Sequence, residues 1–189
     1  MTAFKFRDPE GHPLELLAFA PGATPAHWAF QSGNLCLGID HSAISVANTD
    51  RSVAFYSRLG LARTASSLNV GPEQEKLDDL VGAVVEVTAL APPIQAVPHV
   101  ELLCYRGNFD RRNLPTNRSD VAATQLVFEV EADALDAIVA LNRDTTISSS
   151  TTAESLRVLL RDPDGHLLCL EAALQSSQPT NQQEMPQPC

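Results

Sequence analysis

The chain has 189 residues, 44% of them hydrophobic, and a formal net charge of −10. That length suits one domain of ordinary size with extra segments, and it can bury a sizeable core. The acidic balance argues against a nucleic-acid or anionic-membrane surface, no apolar run approaches the roughly 18 residues of a transmembrane helix, and the opening MTAFKFRDPEG has no apolar stretch of signal-peptide length.

The first elements are FKF (4–6) and HPLELLAF (12–19), which flank Asp8-Pro9-Glu10-Gly11 and are expected to form a β-hairpin within residues 1–20. Residues 21–37 hold Pro, Gly, Ser and Asn with little period and read as a connector, packed through Trp28 and Phe30. IDHSAISV (39–46) alternates as a strand, with His41, Ala43 and Ser45 on one face and Ile44 and Val46 on the other. The triplet NTD then supplies capping residues for a helix over RSVAFYSRL (51–59), closed by Gly60, with Val53, Tyr56 and Leu59 on one stripe.

VGAVVEVTAL (81–90) and PHVELLCY (98–105) are strand-like. Residues 106–120 form a polar, basic loop, in which Arg111 and Arg112 either hold an anionic substrate or are simply solvated. A second strand–helix pair follows. TQLVFEV (124–130) sets Gln125, Val127 and Glu129 against Leu126, Phe128 and Val130, and ADALDAIVALN (132–142) carries a stripe of Leu135, Ile138 and Leu141. SLRVLL (155–160) and HLLCLEA (166–172) flank Asp162-Pro163-Asp164-Gly165 as another hairpin. Residues 174–189 have almost no apolar content and are expected to be a disordered tail.

The two hairpins share a motif. Residues 7–16 read RDPEGHPLEL and residues 161–170 read RDPDGHLLCL, identical at seven of ten positions. Glu15 in the first copy stands where Cys169 stands in the second. The order of elements is βαβββ twice, over 38–105 and 121–173, preceded by a lone hairpin. The predicted class is α+β: two βαβββ units, each helix covering one face of a curved sheet.

The opposite face carries the chemistry. His41, the pair His99 and Glu101, Gln125, and the pair Cys169 and Glu171 all fall there, because residues two apart on a strand share a face. Imidazole and carboxylate suit a divalent transition metal, while a polar sheet face is also what solvent alone would favour. Both readings stand on these residues. The cysteines Cys36, Cys104, Cys169 and Cys189 form no CxxC pair in a chain too long for a disulfide scaffold, so reduced thiols and a cytoplasmic protein are expected.

IDHSAISVANTDRSVAFYSRLGL resembles the opening unit of the vicinal oxygen chelate superfamily (glyoxalase, bleomycin resistance protein, extradiol dioxygenase), and VELLCY resembles that unit's closing strand. TQLVFEV followed by RDPDGHLLCLEA resembles the second unit, so that the likeness covers residues 38–173. The resemblance implies a cupped mixed sheet made of the two βαβββ units, with metal ligands on the first and last strands of each, at His41, Glu101, Gln125 and Cys169. His41 and Glu101 keep the family's residue types; Gln125 replaces a histidine and Cys169 a carboxylate. Glutamine is a weaker neutral donor and thiolate favours softer ions, which counts against extradiol-type iron chemistry.

By the same resemblance, residues 1–20 look like the closing hairpin of a preceding, incomplete unit. Glu15 then belongs to a missing or composite site, either because the chain lacks the front of a two-domain protein or because the hairpin packs on a partner subunit.

The functional expectation is a metal-dependent enzyme of lyase, isomerase or dioxygenase type on a small oxygenated metabolite. Its metal is a divalent ion (Fe, Mn, Ni or Zn), His41 and Glu101 are its catalytic residues, and His99, Val127, Tyr105 and Glu171 line its pocket. The partner is a small molecule rather than nucleic acid or membrane, and a homodimer is expected. Two alternatives remain: a metal-free binding protein of the antibiotic-sequestering kind, with aromatics such as Phe55, Tyr56, Tyr105, Phe109 and Phe128 near its cavity, and an inactive fragment of a two-domain relative.

Overall fold

The structure is a computed structural model, and it describes residues 1–28, 35–92, 97–107, 125–152 and 154–174. Phe30, the loop residues Phe109, Arg111 and Arg112, and the tail from 175 to 189 lie outside the described residues.

The chain opens with β1 (Thr2–Arg7) and β2 (Pro13–Ala18), an antiparallel hairpin in which Phe4 faces Leu16 and Lys5 faces Glu15. Its turn follows from the sequence. Asp8 accepts the backbone N–H groups of Glu10 and His12 through Oδ1, and Gly11 takes the positive φ of 88° that closes the turn. The Arg7 guanidinium donates to the Gly11 carbonyl at 2.8 Å.

The first unit comprises β3 (His41–Ser45), α1 (Thr49–Ser57), β4 (Ala62–Val70), α2 (Pro72–Asp78), β5 (Val84–Ala91) and β6 (His99–Arg106). Asn48 caps α1 by accepting the Arg51 N–H at 2.8 Å, and Gly60 follows with φ 90° where the helix stops. The sheet order is β3-β6-β5-β4, with β3 parallel to β6 and the remaining pairs antiparallel. α2 is an addition to the expected plan. Pro72 at its start and Glu73 and Glu75 in its first turn favour a helix beginning there.

The second unit runs β7 (Gln125–Glu129), α3 (Ala132–Leu141), β8 (Thr146–Thr151), β9 (Ser155–Arg161) and β10 (Leu167–Ala173). Its sheet order, β7-β10-β9-β8, reproduces the first unit strand for strand, with β7 parallel to β10. The architecture is thus two four-stranded mixed sheets and a two-stranded hairpin, an α+β fold made of two βαβββ units.

One core joins the two units. Ile44, Phe55, Tyr56, Leu90, Val100 and Leu102 of the first pack with Leu135, Val158, Leu160, Leu168 and Leu170 of the second. Burying a side chain of this size contributes roughly 1.5–3 kcal/mol. Polar links cross the same boundary. Tyr56 donates to Asp162, Arg51 and Ser52 donate to Asp164, and the His166 Nε2 lies 2.7 Å from the Ser45 carbonyl. The closing turn of the second unit is therefore seated on the first strand–helix arm of the first.

Candidate metal centre

Parallel pairing of β3 with β6 sets His41 directly beside His99, and Ala43 beside Glu101. Alternation along β6 places His99, Glu101, Leu103 and Tyr105 on one face, while Val100, Leu102 and Cys104 turn to the core. His41 shares the first of these faces because its register partner does. The opposing positions on β5 are Ala89, Val87 and Val85, so an apolar floor extends away from the histidines.

At the histidine end four side chains meet. The His41 Nε2 lies 3.6 Å from Glu101 Oε2, and the His99 Nε2 lies 3.4 Å from Glu101 Oε1. The imidazole centroids are 5.2 Å apart. Asp40 Oδ2 lies 3.1 Å from His41 Nδ1, and Asp40 Oδ1 accepts the Trp28 indole N–H at 3.4 Å. Donor atoms of Asp40, His41 and His99 all fall within 4.8 Å of one another. Gly38 makes room for this arrangement. A Cβ there would stand 2.5 Å from the Trp28 ring.

The electrostatics follow from these contacts. The hydrogen bond to Glu101 raises the His99 pKa against the opposing effect of burial. The same bond holds the Glu101 carboxyl below its ordinary range, again against burial. Burial pushes Asp40 up, but the hydrogen bonds from His41 and Trp28 outweigh it, and the net shift is downward. Carboxylates and imidazoles of this kind suit a divalent transition ion, and a carboxylate on the far nitrogen of a ligating histidine fixes the tautomer and ring orientation that leaves Nε2 for the ion.

The other two expected ligands belong to the second unit. Gln125 begins β7 and Cys169 lies within β10, both in the second sheet. No hydrogen bond or ion pair among the described residues joins either to His41, His99 or Glu101. Burial pushes the Cys169 thiol up, with Arg157 opposing, which disfavours the thiolate a metal requires. Glu171 accepts two hydrogen bonds from Arg157, at 2.9 and 2.8 Å, and Val127 is 57% exposed. His99, expected to line a pocket, brings a second imidazole beside His41.

Tyr105 closes the opposite end of the face. Its hydroxyl donates to Asp78 of α2, which also accepts from Lys5 and Gln74. Burial, followed by the charge of Asp78, pushes the Tyr105 pKa up to about 12. Glu15, paired with Lys5, lies on the inner side of the hairpin near Tyr105. Tyr105 is four residues beyond Glu101 on one strand, about 13 Å at the usual strand rise. Glu15 therefore belongs to the far wall of this face and not to the histidine cluster.

No protein-family model matches the chain, and no curated protein matches it. Solved structures do. A glyoxalase family protein from Bacillus cereus aligns with a TM-score of 0.65 at 18% identity, over 76% of this chain and 99% of that one. A glyoxalase/bleomycin resistance protein/dioxygenase domain from Frankia sp. aligns at 0.52 and 15% identity, over 74% of this chain and 93% of that one. A glyoxalase/dioxygenase from Nostoc punctiforme aligns at 0.50 and 18% identity, over 73% and 92%. The fold is the one these structures share.

Proposed function

We propose that the chain is a divalent-metal enzyme on a glyoxalase-like fold, with His41, His99 and Glu101 as ligands and a small oxygenated molecule as substrate. One observation carries this reading: two imidazoles and one carboxylate from adjacent strands converge, with both Nε2 atoms within 3.6 Å of Glu101. When bound, a divalent ion supplies Lewis acidity toward neighbouring oxygens of the substrate. Two histidines and one carboxylate accept Fe, Mn, Ni or Zn.

The side chains have separable tasks. Asp40 holds His41 through Nδ1, and Trp28 holds Asp40 in turn. Glu101 is a carboxylate at neutral pH because the hydrogen bond from His99 holds its pKa low, which suits it to hold a cation or to take a proton from a substrate. On that face Val87 and Leu103 are only partly buried and offer an apolar surface to the rest of the substrate, over the buried Val85 and Ala89. Lyase, isomerase and dioxygenase outcomes are all compatible with this set. We place the protein in the cytoplasm on the strength of the free thiols of Cys36, Cys104 and Cys169. No helix among the described residues is long and apolar enough to cross a membrane.

The test is metal content. Protein loaded in turn with Fe, Mn, Ni and Zn, then desalted, is expected to hold about one ion per chain, and His41→Ala and His99→Ala are expected to abolish retention. Failure to retain any of the four ions overturns the proposal. The apolar floor also favours a second reading, a metal-free small-molecule binder; thermal stabilisation by apolar ligands in the presence of chelator, with none by metals, would support that instead.

A further inference from the structure

The two copies of the repeated motif have the same geometry and opposite surroundings. In both, the leading Asp accepts two turn N–H groups through Oδ1 and the Arg donates to the Gly carbonyl. The ladders superpose register for register: Phe6–Leu14 and Phe4–Leu16 in β1–β2 correspond to Leu160–Leu168 and Val158–Leu170 in β9–β10.

In the second copy all four of these apolar side chains are at most 3% exposed, packed in the core shared with α1 and α3. In the first, Phe4 is 64% exposed, Leu16 55%, Leu14 46% and Phe6 39%. The turns differ in the same way. Asp162 and Asp164 receive Tyr56, Arg51 and Ser52 of the strand–helix arm 41–57. Their counterparts Asp8 and Glu10 turn onto their own His12, at 3.0 and 3.9 Å.

The inner side of the hairpin is already committed through Lys5 to Asp78. The outer side is therefore the face that, in the other copy, a strand–helix arm covers. We propose that the outer face of β1–β2, together with Asp8 and Glu10, docks a strand–helix arm of a protein partner. The apolar side of that arm covers Phe4, Phe6, Leu14 and Leu16, and its first helical turn offers a guanidinium and a hydroxyl to the two carboxylates. The arms of a second copy of this chain fit poorly. Residues Asp162 and Asp164 already occupy α1, and α3 has Glu131 at its N-cap and Asp133 in its first turn, which repel an acidic hairpin turn.

The chain's own arm serves as the probe. A fluorescein-labelled peptide of residues 39–60 is titrated into the full chain and followed by anisotropy. Saturable binding is expected, weakened at least about tenfold both by Asp8→Asn with Glu10→Gln and by Phe4→Ser with Leu16→Ser. Far-UV circular dichroism and metal retention, unchanged in both double variants, show that the rest of the chain is folded. Absence of saturable binding up to about 1 mM, or binding indifferent to both pairs of substitutions, overturns the proposal. So does sedimentation velocity showing, without peptide, a dimer that Phe4→Ser with Leu16→Ser dissociates, because a second copy would then be the occupant.

Discussion

The Tyr56 hydroxyl donates to Asp162 Oδ2 at 3.1 Å, tying the first helix of one βαβββ unit to the closing turn of the other. Tyr56 is fully buried and Asp162 nearly so. Tyr56→Phe keeps the ring and strips a buried carboxylate oxygen of its donor. The expected cost is about 1–3 kcal/mol of unfolding free energy, read from urea denaturation. An unchanged midpoint would show that the bond contributes nothing net to the junction.

Gly38 is the second place where one atom decides. A methyl group there overlaps the Trp28 ring, and Trp28 is what holds Asp40 toward His41. Gly38→Ala is expected to shift the Trp28 emission spectrum and weaken metal affinity about 10–100-fold, the range seen when the partner of a ligating histidine is disturbed. Isothermal titration would measure it, and full affinity with an altered spectrum would uncouple Trp28 from the site.

Metal retention should separate the two sheets. His99→Ala is expected to release the ion, whereas Cys169→Ser is expected to retain it while losing about 1–3 kcal/mol of stability, since Cys169 is 7% exposed and serine brings a hydroxyl into that setting. Loss of the ion in Cys169→Ser would return the second unit to the coordination sphere.

Much of the fold was legible in the chain because its signals are local. Asp-Pro-Asp-Gly dictates a turn, alternation in IDHSAISV and TQLVFEV dictates half-buried strands, and Asn48 and Gly60 bracket a helix. The βαβββ order called for β4 and β8, but neither could be placed on particular residues. ARTASSLNV and TISSST are edge strands, mostly exposed on both faces, so neither carries an apolar period. α2 escaped because seven residues with a polar surface leave no stripe. At the site, His41 and Glu101 could be read from the strand pattern, and His99 was visible as their neighbour. Its equal standing was hidden, because the pairing of His41 with His99 is a register between strands far apart in sequence.

The metal-free protein should respond to pH through His99 and Glu101. His99 titrates higher in the folded state than its ordinary 6.5, so its stabilisation is complete below that value and fades as pH rises through the folded pKa. Glu101 titrates lower than its ordinary 4.5, so its stabilisation is present above that value and fades as pH falls through the folded pKa. The pair therefore contributes most between those ordinary values. Thermal melts of the apo chain across this range, compared with Glu101→Gln, should show the difference between the two proteins widest there and narrowing on either side.

The ladder between β3 and β6 has a consequence for how such a centre can change by mutation. Slipping one strand by a single residue would set Ser42 beside His99 and carry His41 off the shared face. Point substitutions can exchange donors while the ladder holds. An insertion or deletion that moves the ladder would set the two imidazoles on opposite faces in one step. The spacing of the chain between Asp40 and His99, whose backbones are themselves hydrogen-bonded at 3.0 Å, is thus as much a part of the centre as its donor atoms.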